Sequence, residues 1–158
     1  MCKAVEIGKH IMNQCINDGY DVTPSKIQKL LYYMQGEYLV NYNKRMFEEE
    51  IVAGECGPAI KAVNYYFTKF LFDNKDKLIT ANLFLSDEEK RVFEDVYDDK
   101  AYLTTDHLIE MTQTEEPWVI TYDQGRGRNK PITDEMLKNY FGGTINGLEG
   151  LDKWNISI

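Results

Sequence analysis

Histidine is scarce in this chain of 158 residues: only His10 and His107 occur, and neither stands at ligand spacing from a cysteine. Zinc sites draw on His and Cys at short fixed spacings, so no metal site is expected. The three cysteines, Cys2, Cys15 and Cys56, are an odd number without a C-x-x-C pair. Free thiols are expected, with Cys15 and Cys56 on apolar patterns that suit buried, unreactive sulfur. No apolar run approaches the roughly 18–20 residues that a membrane span needs. Phosphate-cradling glycine loops and a G-x-S-x-G nucleophile turn are also missing, so no cofactor and no nucleophilic catalysis are expected. Glu6 stands where a secretory leader would need an apolar block, which makes the cytoplasm the expected compartment.

What is present is enough for one core. The composition is 43% hydrophobic and 13% aromatic, sufficient to offset chain entropy over a single domain. The formal net charge is −8 and the pI about 4.8. Such a balance disfavours phosphate backbones and anionic lipid, so no direct nucleic-acid partner and no membrane partner are expected. The charge is concentrated. Between Ser86 and Glu116 eleven acids face only Lys90, Arg91 and Lys100. Paired carboxylates are abundant there but have no pocket-forming context, and most read as solvated helix faces.

Periodicity gives a mainly α fold: about six short helices around a central one, with a short β hairpin. Ala4, Ile7, Ile11 and Cys15 recur at three- and four-residue steps, predicting a first helix over 3–17. Thr23-Pro24 is a cap followed by proline at the first helical position, opening a second helix over about 24–41. Ile27, Leu30, Leu31, Met34 and Tyr38 form one stripe of that helix, and Tyr32, Tyr33, Gly36, Leu39 and Val40 make its opposite side apolar too. A helix apolar nearly all round belongs at a domain's centre. The other reading leaves one side open for a partner, with Gly36 permitting close approach.

Residues 46–56 lack a helical period and read as a hairpin or irregular strand, after which Gly57-Pro58 opens a third helix over 58–70. Ser86-Asp87-Glu88-Glu89 is a capping box and starts a fourth helix that buries Val92, Phe93, Val96 and Tyr97. A fifth begins near Thr104 or Thr105 and stops before Pro117; Thr133 caps a sixth, ending near Phe141. Residues 1–141 are the expected domain. Residues 142–158 are a tail, either loose or docked through Leu148, Leu151 and Trp154.

One loop, Asp123 to Pro131, is basic and glycine-rich, with Arg126, Arg128 and Lys130. It serves either as a flexible connection or as a seat for an anion or an acidic surface. No neighbouring pair of helices offers the basic outer face that a helix-turn-helix DNA reader needs.

The run Lys26-Ile27-Gln28-Lys29-Leu30-Leu31-Tyr32-Tyr33, after Thr23-Pro24 and before Gly36, resembles the signature helix of the Panacea antitoxin domain family. Further likenesses follow in order: Phe47 to Ala53, Gly57-Pro58-Ala59-Ile60 with Val63 and Tyr65, Thr112 to Trp118, and Pro131-Ile132 through Tyr140-Phe141. Together they cover about residues 3–141. The chain departs from the family's pattern at Gly54, at Cys56 and at Gln113, where the family tends to carry tryptophan, an aromatic or histidine, and histidine respectively.

The resemblance implies a non-catalytic antitoxin of bacterial or phage origin that binds and neutralises a toxin encoded next to it. Some relatives are adaptors that deliver a toxin to a protease. A protein partner is therefore expected, with its identity and the oligomeric state left open. The expected anchors are Tyr32 and Tyr33, provided their side of the helix is open. The expected steering charges are Asp98, Asp99, Glu115 and Glu116, with Arg126 and Arg128 as further contacts. Two rivals stand beside this reading: a phage counter-defence inhibitor that imitates nucleic-acid charge, and a hydrolase using scattered carboxylates.

Overall fold

The computed structural model describes residues 2–74, 77–81 and 83–143. Among these, seven α-helices and one antiparallel hairpin follow in the order α1 (Lys3–Asp18), α2 (Pro24–Tyr42), β1 (Val52–Gly54), β2 (Gly57–Ala59), α3 (Lys61–Asp73), α4 (Asp87–Lys100), α5 (Thr105–Thr112), α6 (Glu116–Tyr122) and α7 (Asp134–Phe141). Beyond Gly143 the expected tail, with its anchors Leu148, Leu151 and Trp154, lies outside the described residues.

The centre is α2. Thr23 Oγ1 accepts from the Lys26 N–H at 3.0 Å, Pro24 sits in the first turn, and Asn43 closes the helix in the left-handed region. Both apolar sides are buried except at Val40, which is exposed near the end of the helix, and α1, α3, α4, α5, α7 and β2 all pack against it. Two glutamines seven residues apart clamp irregular backbone to this rod. Gln28 Oε1 accepts from Ile60 N–H at 3.0 Å, and its Nε2 donates to Pro24 O and Asn64 Oδ1. Gln35 accepts from Met46 N–H at 2.7 Å and donates to Phe47 O at 2.8 Å. Buried amides paired in this way fix the loops without leaving orphaned backbone groups.

The remaining helices follow their signals. Ala4, Ile7, Ile11 and Cys15 of α1 are buried. The capping box of α4 is complete, with Ser86 accepting from Glu89 N–H and Glu89 accepting from Ser86 N–H. Glu89 also pairs with Lys3, which ties α4 to α1. Against the burial that pushes the Glu89 carboxyl up, Lys3 and the Ser86 amide hold it below the usual range.

Four expectations are corrected. The hairpin occupies 52–59 rather than 46–56, because Gly57 at φ +106° makes the reversal and Pro58 pairs opposite Ala53. The third helix accordingly starts at Lys61, with the Gln28 amide serving the N-terminus that Ile60 cannot cap. Pro117 does not merely end α5 but lies in the first turn of a further helix, α6, since proline fits a position whose N–H has no intrahelical partner. Finally, the basic loop is no loose connection. The Ala53 N–H donates to Lys130 O at 2.9 Å, its carbonyl accepts from Asn129 N–H at 2.7 Å, and Ile132 N–H donates to Ile51 O. The segment runs along β1 as an added edge.

Candidate partner-binding surfaces

The tyrosines expected as open anchors are interior. Tyr32 and Tyr33 are buried, and their hydroxyls donate to the two oxygens of one carboxylate, Glu115 Oε1 at 2.9 Å and Oε2 at 2.7 Å. Phe141 of α7 stacks edgewise on both rings, with centroids at 5.4 and 5.8 Å. Gly36 admits it: a Cβ there would stand 2.2 Å from Phe141 Cδ2, so the close approach belongs to α7 and not to a partner. Burial, then the Glu115 charge, pushes both phenols far above their usual range. Burial also raises the Glu115 carboxyl, against the two tyrosine hydroxyls and the charge of Lys100. Glu115 precedes α6, so the trio locks that helix start to α2 and is part of the scaffold.

The other expected residues divide between two places. Asp98 and Asp99 are exposed on α4. Asp99 pairs with Lys100, whose Nζ lies 4.6 Å over the Tyr33 ring. A cleft of about 330 Å³ there is lined by Tyr33, Glu37, Asp95, Asp99, Lys100 and Phe141. Glu37 is half-buried in it, and burial raises its carboxyl. Glu116 is exposed at the start of α6. Arg126 and Arg128 are exposed on the docked loop and ion-paired, Arg126 to Asp123 at 3.5 Å and Arg128 to Glu55 at 3.1 Å.

Sequence reasoning missed a third surface. Phe72 is 88% exposed and Phe84 94%, with Tyr65 and Leu78 also open. Ile79 and Leu83 are held to α1, Ile79 through both its backbone polar groups by Asn13 and Leu83 O by His10. Beside it, Ile16, Tyr20, Val22, Leu71 and Phe72 line an apolar groove of about 800 Å³. Tyr65 and Phe72 lie off the inward stripe Val63, Phe67 and Phe70 of α3. That off-stripe position was the available signal.

A fourth feature is the hairpin tip. Cys56 is exposed there, contrary to the buried thiol its apolar surroundings suggested, because it occupies the turn between β1 and β2. Cys15 is buried, and that burial raises its thiol. Gln113 Nε2 donates to Glu55 O, and Trp118 Nε1 donates to Gly54 O at 2.8 Å. Gly54, Cys56 and Gln113, the three departures from the Panacea pattern, thus meet at one tip. Among the described residues no group of three or more His, Cys, Asp or Glu is placed to hold a metal ion, and no helix is long and apolar enough to cross a membrane.

The chain is a mainly helical domain with a buried polar scaffold and with open apolar and charged surfaces. Residues 27–119, more than half of the chain, match the family described as antitoxin SocA-like, Panacea domain, and the chain belongs to that family. No curated protein and no solved structure matches it.

Proposed function

We propose that the chain is a non-catalytic antitoxin that neutralises a cognate toxin by stoichiometric binding. The family match over residues 27–119 carries the reading. The surfaces support it. Phe72 stands open beside Ile16, Tyr20, Val22 and Leu71 at one apolar groove, the kind of contiguous apolar surface that marks a contact site. The exposed acids of α4, Glu94, Asp95, Asp98 and Asp99, supply a field that speeds encounter with a basic partner. Tyr32, Tyr33 and Glu115 hold the scaffold behind these surfaces, while Asp98, Asp99 and Glu116 remain proposed steering charges. Arg126 and Arg128 remain proposed contacts at the edge beside the hairpin. The domain proper is residues 1–141, and it acts in the cytoplasm.

Co-expression with the product of the adjacent gene tests the reading. Restored growth and a co-purifying complex are expected; arrested growth with no complex refutes it. The acidic α4 face also suits the counter-defence reading, a charge-mimicking blocker of a nuclease. Nuclease inhibition that disappears steeply with salt, without rescue from a neighbouring toxin, favours that version.

A further inference from the structure

The apolar groove beside Phe72, about 800 Å³ in volume, is built by three pieces of chain: the end of α1, the connection 19–23 with Pro24, and the last turns of α3. Its walls are firm, because Ile16, Val22 and Leu71 are half-buried and pack against the core. Its rim is open, with the Phe72 ring standing in water and Tyr20 exposed opposite. A formed apolar groove with a free aromatic ring at its mouth is shaped to take another apolar surface.

The charge around this opening has one sign. Asp21 is the one charged side chain on the lining. Its Oδ1 accepts from Lys26 Nζ at 3.0 Å and its Oδ2 from the Thr105 hydroxyl at 3.0 Å, which fixes the carboxylate in place. Lys26 is 0% exposed and the Asp21 side chain 49%, so the anion of this pair is the member that faces water. Lys29, one turn further along α2, is buried with no hydrogen-bond partner among the described residues, and it does not line the groove. Both α1 and α3 end here, at the exposed Asp18 and Asp73, and neither has a basic residue in its last turn. Two negative helix ends therefore border the groove without a neutralising side chain. Asp106, next to Thr105, is exposed as well. The helix that begins here, α2, has its Lys26 amide already taken by Thr23, and Pro24 has no N–H to offer. Within two positions of the lining residues the one exposed base is Lys69.

We propose that this groove seats a basic amphipathic segment of the toxin. Its large apolar side chains enter between Val22 and Leu71 against the Phe72 ring, and a Lys or Arg beside them pairs with the open side of Asp21. The charge selects this occupant over others. A second copy of the chain carries −8 and would bring like charge to an acidic rim. Residues 144–158 supply apolar side chains, but Lys153 is their one base, beside Glu149 and Asp152. A small apolar ligand would leave Asp21 and the bordering acids unanswered. The inference rests on the antitoxin reading and deepens it by naming the place and the chemistry of the toxin segment.

Two arms test it on the full chain. In the first, isotope-labelled protein is titrated by NMR with two synthetic helical peptides that share one leucine stripe, the other positions being all Lys in one and all Glu in the other. Saturable shifts of the Gly19, Val22 and Leu71 amides are expected with the Lys peptide alone. No shift, equal shifts with both peptides, or shifts confined to Asp95 and Asp98 of α4 overturn the proposal. So do shifts of the groove amides on raising the protein's own concentration or on deleting residues 144–158, which assign the groove to a second copy or to that segment. In the second arm, Thr68, exposed on the lining, is changed to Lys and to Glu, and binding of the adjacent gene's product is measured. Thr68→Lys is expected to weaken binding by about tenfold or more, and Thr68→Glu to leave it within about threefold of wild type. Equal losses would mean bulk and not charge, and no loss in either would remove the groove from the interface; each overturns the assignment. Should wild type form no complex, the antitoxin reading fails, while the peptide arm still decides whether the groove takes a basic segment.

Discussion

Replacing Lys29 by methionine should stabilise the protein near neutral pH. An ammonium whose pKa falls from 10.5 in the open chain to about 8 in the fold penalises the folded state by roughly 3 kcal/mol where it is protonated in both states. The sign follows from proton binding. The folded state holds this proton more weakly, so the penalty is complete below about pH 8, shrinks as pH rises through that value, and is gone above about 10.5. Methionine keeps most of the apolar stem and carries no charge. Buried charges exchanged for apolar groups of similar volume are often neutral or stabilising.

Urea unfolding of both proteins at pH 7, 8.5 and 10, followed by far-UV circular dichroism, should give Lys29→Met an advantage of about 1–3 kcal/mol at pH 7 that narrows steadily toward pH 10. The raised phenols of Tyr32, Tyr33 and Tyr97 work the other way. Their stabilisation is present below their open-chain value near 10 and is lost only above it. They are common to both proteins and cancel in the difference. A variant less stable than wild type at pH 7, or a difference that does not change with pH, would refute the claim that this amine is buried without a partner.

Tyr33→Phe should lower stability by about 1–2 kcal/mol in the same assay, because the half-buried Glu115 carboxylate loses one of its two donors; an unchanged denaturation midpoint would remove the scaffold role. Gly36→Ala should cost about 1–3 kcal/mol, since its Cβ must displace Phe141 from the tyrosine rings. A thermal scan with no loss would show that α7 docks more loosely than this. Phe72→Ser should leave stability within about 0.5 kcal/mol, as the ring is largely in water, while weakening toxin capture by about tenfold or more in a binding titration. Wild-type capture would exclude this face from the interface.

The elements that could be read in advance are those with local causes. Thr23-Pro24, Thr133 and the Ser86–Glu89 box each satisfy a helix end with neighbouring residues, and the structure finds all three in use. The all-round apolar pattern of α2 likewise placed it at the centre. What could not be read is set by contacts across the chain. The start of α3 depends on Gln28, more than thirty residues away, and the order in the basic loop depends on Ala53 of β1. Pro117 permits two readings because a proline can end one helix and begin the next. Among the candidate residues, sequence alone could not separate Tyr33 as anchor from Tyr33 as core, since the deciding partner, Glu115, stands just before α6 and far away along the chain. Lys29 escaped notice for the same reason: nothing in K-I-Q-K shows that one lysine finds an aspartate and the other does not.

The most direct test is a titration of the purified toxin's activity with this protein. Activity that falls in proportion to added protein and vanishes at a fixed whole-number ratio is the outcome expected of neutralisation by occupancy. Loss of activity at a small fraction of one equivalent, increasing with time, would mean turnover and would contradict it.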